Sequence, residues 1–566
     1  MPVPLGSPFA RLCSTALLSL LVACSRETVP TAPQQPDPVP GLGSQSLTLG
    51  ATGSAAEYMV VVTNTTLDGT TTAGFTVSGS GLAPSTVRLA ADRLPGTLDA
   101  ATAVADPMPD LAAEARRRTR ERAVLGGMIP AAQAWYAGRV VPAGAYGLSP
   151  ATRSAQSIPA GAQVGDVVRI NVNGDSVCTS PTWHGARITA IGTHAMILQD
   201  TLNPPGGFTT ADYQRFAARF DTLVFPLDSA AFGAPTDIDR NGHVAIVFTR
   251  TVNEMTPTNS SSYVGGFTFS RDLFPIVGTA RTQACAASNE GEYFYLLAPD
   301  PTGAIHGNPR TTAFVDSVTV PVIAHEFEHL INFGRRLYVN DAPSFEDKWL
   351  DEGLAHVAEE LLFYRETGLT SRANIDLAAL RASTRTLYGF NRDMNGNQGR
   401  YRAYLLDPSR NSPFGVDDGL ATRGGAWSLL RYLADHAASS DGDLLYHLVN
   451  SQTAGVANIT AVFGAGVATQ ARDWNVSNAT DDLVTAAADL QPSWNWHSIY
   501  PAVGNSGQYP LAYQPMSSGV TYTGSVLGGG AAYYKLTVPA AGSATLTFVE
   551  TTASAPRLSM VAVRTR

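Results

Sequence analysis

From about Ser46 to Arg93 the chain alternates short Val- and Thr-rich runs with Gly/Ser turns: SLTLG, EYMVVVTN, TAGFTVSG and STVRLA. Runs of that length between turn residues predict short β-strands. The same texture returns from about Tyr509, in VTYTGSV, AAYYKLTVP and SATLTFVE. Two small all-β modules are therefore expected, at 46–96 and 501–566, the second sandwich-like. No strict internal repeat relates them.

The long middle, 156–500, mixes periods of two and of 3.6. GDVVRINVN predicts a strand, and TTADYQRFAARFDTLV puts Tyr213, Phe216, Phe220 and Leu223 on one helical face. HVAIVFT and EYFYLLA are apolar enough for largely buried strands. EYFYLL fits equally a core strand or a sheet edge to which an extended peptide adds. VIAHEFEHLINFG and WLDEGLAHVAEELLFY predict two helices, the first stopped by Gly334, and GAWSLLRYLADHAAS a later one. The fold class is α+β. Upstream, Asp110 to Leu125 (DLAAEARRRTRERAVL) predicts a helix within a linker or pro-segment, 97–155. Its arginines are expected on a solvated face.

Residues 1–23 read as a targeting segment. Arg11 precedes an apolar run, Leu12 to Ala23, too short to span a bilayer as a helix. The run ends Leu21-Val22-Ala23-Cys24, which resembles the lipobox of bacterial lipoproteins. That resemblance implies cleavage before Cys24 and lipid on its thiol, with an ordinary secretory signal as the alternative. Residues 24–45 are polar and proline-rich, a tether. Either signal places the mature protein outside the cytoplasm, where the two remaining cysteines, Cys178 and Cys285, suggest one disulfide.

Composition adds two limits. The chain has 566 residues, and its net charge, 38 − 47 = −9, comes without a long basic run. Nucleic acid is thereby disfavoured as a partner. Abundant Gly (52) and Pro (36) with scarce Cys (4) favour loop-rich β structure over a helical bundle.

The chemistry concentrates in His325-Glu326-Phe327-Glu328-His329. Residues four apart on a helix share a face, so both imidazoles reach one metal ion, and Glu326 stands beside it as a base for the attacking water. A catalytic zinc takes three protein ligands and keeps one position open. Glu352, 23 residues past His329, is the candidate third ligand, on a second helix turning back against the first. His356 and Glu359 share its face.

HEFEHLINFG followed by WLDEGLAHVAEE resembles the gluzincin metallopeptidases, and more narrowly the hyicolysin-type family of secreted bacterial neutral metallopeptidases. The stretches at 232–254, 265–275 and 288–297 agree with it, and the likeness covers about 160–440. It implies a zincin-like domain, zinc on His325, His329 and Glu352, and Glu326 as base and then acid. Many gluzincins carry an Asp four residues after the ligand Glu to orient the first histidine. Here that position is His356, and Glu359, Asp351 or His356 itself stands for the role. For the oxyanion donor, Tyr401, Tyr404, Arg423 and Tyr432 are candidates, each also readable as structural. Expected substrates are extracellular proteins or peptides, cut by a monomer that meets the membrane only through Cys24.

Two other readings stand beside the endopeptidase. A zinc aminopeptidase would usually carry a Gly-x-Met-Glu-Asn strand, which is absent. A surface binding protein on an inactive peptidase fold is opposed by the intact Glu326. Finally, Asp237-x-Asp239-x-Asn241-Gly242 opens like a calcium loop, yet Phe248 stands where an EF-hand needs its acid. A turn into HVAIVFT is expected there, with a small calcium site as the alternative.

Overall fold

The computed structural model describes residues 44–84, 111–140, 158–276, 284–484, 490–503, 507–552 and 558–566. The signal segment, the lipobox and all of the tether but Ser44 and Gln45 lie outside them. Those two residues already belong to the first strand, β1 (Ser44–Gly50).

The two terminal β regions are not separate modules. β1, β2 (Ala56–Asn64) and β3 (Thr72–Ser80) interleave with β10 (Gln514–Pro515), β11 (Thr521–Leu527), β12 (Ala531–Val538), β13 (Ser543–Glu550) and β14 (Leu558–Arg564). One sheet runs β1-β13-β3-β11, the other β10-β12-β2-β14, so every long strand pairs across the two ends of the chain. The reason is burial: neither set of strands alone can cover its apolar face. β2 shows this along its own length. Val60 and Val62 point into the sandwich core, while Met59 and Val61 point into the core of the central body. That double burial explains why EYMVVVTN reads as a continuous apolar run rather than an alternation.

The central sheet contains β4 (Val167–Asn171), β5 (Trp183–Ile191), β6 (Ala195–Asp200), β7 (Val244–Thr249), β8 (Gly266–Thr268) and β9 (Tyr293–Leu297). Its order is β4-β5-β6-β7-β9-β8, with β6, β7 and β9 parallel. All residues of β7 and β9 are buried, as their apolar runs require. EYFYLL is thus an interior strand, not the edge. The edge is β8, antiparallel to β9 and only three residues long. Cys178 and Cys285 form a disulfide with Cα atoms 4.5 Å apart.

Two helices carry the candidate chemistry. The first, Thr312–Gly334, is capped by the Thr311 side chain and contains Pro321 one turn before His325. It does not stop at Gly334 but widens into a π turn over Arg335–Val339. Gly334 is required for contact instead: a Cβ there would meet Thr236 Oγ1 at 2.6 Å. The second, Lys348–Thr367, packs against the first and against Leu420–His436. Helix Asn395–Leu406 crosses the last of these at Gly424, whose Cβ would fall 2.2 Å from the Arg400 carbonyl carbon. Arg400 and Arg423, beside this close crossing, each meet a glutamate of the second helix, Glu359 and Glu352.

Candidate metal centre

His325, Glu326, His329 and Glu352 are all buried. The two Nε2 atoms lie 3.2 Å apart. Glu352 Oε2 is 3.5 Å from His325 Nε2, and Oε1 is 3.7 Å from His329 Nε2. Thr268 Oγ1 of the edge strand donates to the Glu326 carbonyl at 2.8 Å, tying the helix that carries His325 and His329 to β8.

Each histidine turns its other nitrogen to a carboxylate. His325 Nδ1 is 2.9 Å from Glu359 Oε1, and His329 Nδ1 is 3.1 Å from Asp351 Oδ1. Such partners fix the ring so that Nε2 faces the shared space. The orienting acid for the first histidine is therefore Glu359, with Asp351 serving the second. His356 packs against His325 and sits 3.2 Å from the same Glu359 oxygen. Arg400 holds the other Glu359 oxygen at 3.2 Å. Replacing Glu359 with Gln should weaken metal binding by roughly 10–100-fold, read by competition with a chromogenic chelator. Unchanged affinity would mean that Glu359 does not orient His325.

The electrostatics favour a cation here. Burial opposes a proton on His325, yet Glu352 and Glu359 raise it to about 10. Burial also works to raise the Glu352 carboxyl, but Arg423, Arg118 and His329 outweigh it and hold it well below the usual range. His356 is pushed down to about 3 by burial and then Arg400, and stays neutral.

Of the four oxyanion candidates, only Arg423 reaches the site, its Nη1 2.7 Å from Glu352 Oε2 and its Nε 2.9 Å from Asp418. Tyr401 donates to Asn478 at 2.7 Å and Tyr404 to Asn475 at 3.0 Å, both inside the helical core. Tyr432 packs on His436. The remaining histidines are held structurally, as in His184 with Asp200 at 2.6 Å and His194 stacked on Phe225.

One participant was not foreseen. The charged helix Leu111–Leu125 does not expose its arginine cluster as a whole: Arg117, Arg118 and Glu121 are buried. Arg118 Nη1 donates to Asp351 Oδ2 at 2.7 Å, and its Nε lies 3.1 Å from Glu352 Oε1. The signal was in the spacing. The buried face of Leu125, Met128, Ile129 and Ala132 continues backwards at helical intervals through Glu121 to Arg117 and Arg118. Charge along that face disguised it.

A cavity of about 320 Å³ opens one helical turn above His325, between Pro321, Val322, Glu359, Tyr388 and Arg400.

Overlapping groups of buried His, Asp and Glu here are able to hold a metal ion. The protein thus joins a mixed α and β architecture to a buried cluster with the donor set for a metal ion. No family model matches the chain. Over 153 residues it is 27% identical to the neutral metalloprotease ShpI of Staphylococcus hyicus, covering 27% of this chain and 31% of that protein. The chain thus matches under a third of that relative's length. This distant similarity supports a metalloprotease.

Proposed function

We propose that the protein is a zinc-dependent endopeptidase with a zincin-like central domain, acting outside the cytoplasm. The observation that carries this reading is the donor spacing. A tetrahedral ion with bonds of about 2.0–2.2 Å separates its ligands by about 3.4 Å, and here the three separations are 3.2, 3.5 and 3.7 Å. Two imidazoles and one carboxylate, with both rings oriented by further carboxylates, form a donor set suited to catalytic zinc.

When bound by His325, His329 and Glu352, zinc would polarise the scissile carbonyl and acidify the attacking water. Glu326, next to the first ligand, takes the proton from that water and returns it to the leaving amine. Arg423 holds Glu352 in place. The Thr268–Glu326 bond keeps the base in register with the edge of the sheet, where an extended substrate backbone can pair. The disulfide suits an oxidising compartment, consistent with export and a lipid anchor on Cys24. Substrates are proteins or peptides, cut by a monomer.

The test is hydrolysis of a quenched peptide library by the chain from Cys24 onward, before and after limited trypsinolysis. Chelator-sensitive cleavage within the peptides, restored by zinc, is expected. Release of amino-terminal residues alone would indicate an aminopeptidase. Zinc binding without turnover in either preparation would sink the peptidase reading.

A further inference from the structure

The loop Asp237–Gly242 lies outside the site above. Its turn is built as its sequence demands: Asp239 Oδ1 accepts from the Asn241 amide at 3.1 Å, Asp237 Oδ1 from Gly242 at 3.2 Å, and Gly242 takes φ +78°. A third carboxylate enters from the residue before β9. Oxygens of Asp237, Asp239 and Glu292 lie within 4.8 Å of one another. Glu292 is 2% exposed. Its Oε1 accepts from Thr236 Oγ1 at 2.8 Å and from the Ile238 amide at 2.9 Å, while Oε2 is buried with no hydrogen-bond partner among the described residues. Burial pushes this carboxyl up to about 7, and Asp237 adds to it. A buried, unpartnered carboxylate oxygen beside two more acids needs a cation or a proton.

We propose that Asp237, Asp239 and Glu292 bind a calcium ion that braces the C-terminal end of the metal-binding helix. All-oxygen ligands select a hard cation, and three acids, one of them on the exposed side, suit the large, flexible coordination shell of calcium. The bracing follows from Thr236. It donates to Glu292 and also packs against Gly334, where no side chain could intervene. One ion would thus join the loop, the entry to β9 and the end of the helix that carries His325 and His329.

The test uses zinc-loaded, calcium-free full-length protein. Calcium should raise the Tm by several degrees, and terbium should give one saturable luminescence signal, sensitised by Tyr293 and displaced by calcium. Asp239→Asn and Glu292→Gln should abolish both effects, and Glu326→Gln, which keeps its zinc, should retain them. Should the buried variants misfold, Asp237→Asn on the exposed side is expected to weaken calcium binding at least tenfold. No Tm rise and no terbium signal in the parent would overturn the proposal, as would responses unchanged in Asp237→Asn.

Different residues carry a second inference, which rests on the peptidase reading. Arg118 spans Asp351 and the ligand Glu352, with its guanidinium 5.8 Å from the Phe333 ring centroid. From the same helix, Arg117 Nη1 donates to the Thr268 carbonyl at 2.6 Å, and Glu121 accepts from the Ser270 amide at 2.5 Å. The helix therefore covers the end of the edge strand and places a positive charge on a metal ligand. A carbonyl of β8 bound by Arg117 is unavailable to an added peptide strand.

We infer that helix Leu111–Leu125 is an inhibitory latch, released when the helix is displaced or cut away. Arg118→Met in the full chain should raise the initial rate of peptide hydrolysis at least tenfold. It should also speed zinc withdrawal by a chromogenic chelator and expose 111–125 to trypsin. A rate equal to or below the parent's would make Arg118 a positioning residue for Glu352 and overturn the latch. If nothing is hydrolysed by any preparation, the peptidase reading fails. Zinc withdrawal then decides the latch alone: unchanged kinetics overturn it.

Discussion

Glu326→Gln should lower kcat for peptide hydrolysis by about 10²–10⁴-fold while leaving one zinc per chain. The factor is that of a positioned general base. The substitution keeps the shape of a buried side chain and removes only its ability to take a proton. His325 and His329 keep their carboxylate partners Glu359 and Asp351, so the ligand geometry survives. Glu326 favours positive charge on His325 less than Glu352 and Glu359 do. Metal content and kcat therefore separate in this variant. Zinc by atomic absorption, with kcat from the quenched peptide, checks both. Activity retained within a few-fold would remove Glu326 from the role of base, and with it the reason for placing the chemistry on this helix.

What the sequence reveals and conceals here follows from how local each feature is. The juxtaposition of His325 and His329 was legible because a helix converts spacing into geometry: four residues apart means one face, and no long-range knowledge is needed. Glu352 was legible for the same reason once a second amphipathic helix followed. The strands β7 and β9 announced themselves by uninterrupted apolar runs. The sandwich was misread because a strand's pattern says that it is half-buried and never names its partner. β1 pairs with β13 and β2 with β12 and β14, across more than 450 residues. The edge strand β8 escaped notice because three residues carry no period.

The outer carboxylates show an intermediate case. Position 356, where an orienting acid was expected, holds a histidine, and the role passes to Glu359. Helical spacing placed Glu359 on the right face but could not show that it, rather than Asp351, meets His325. That choice is made by packing. Gly353 lets Leu430 and Ala426 approach, with a Cβ at that position only 2.8 Å from Leu430 Cδ1. The helix is thereby seated with Asp351 towards His329 and Glu359 towards His325. Arg118 was hidden for a related reason. A buried arginine is rare enough that a charged helix reads as solvated unless its partners are known, and those partners lie more than 200 residues away.

Glu352→Gln should be the most damaging single change to the centre, and its damage has two separable parts. Zinc affinity should fall by more than the roughly 10–100-fold expected for an outer carboxylate, because an anionic ligand itself is lost. In the metal-free state the fold should also be weakened. Arg118 and Arg423 are each 2% exposed at the side chain and lie 3.1 and 2.7 Å from this carboxylate. Removing one member of a buried ion cluster costs about 3–5 kcal/mol when the charge left behind has no other partner. Here Asp351 still holds Arg118 and Asp418 still holds Arg423, so the loss belongs at or below the lower end of that range. A chelator separates the two parts: with zinc removed from both proteins, the variant should still melt below the parent. Equal melting in chelator would mean that the arginines contribute nothing through Glu352 and that the carboxylate serves the metal alone.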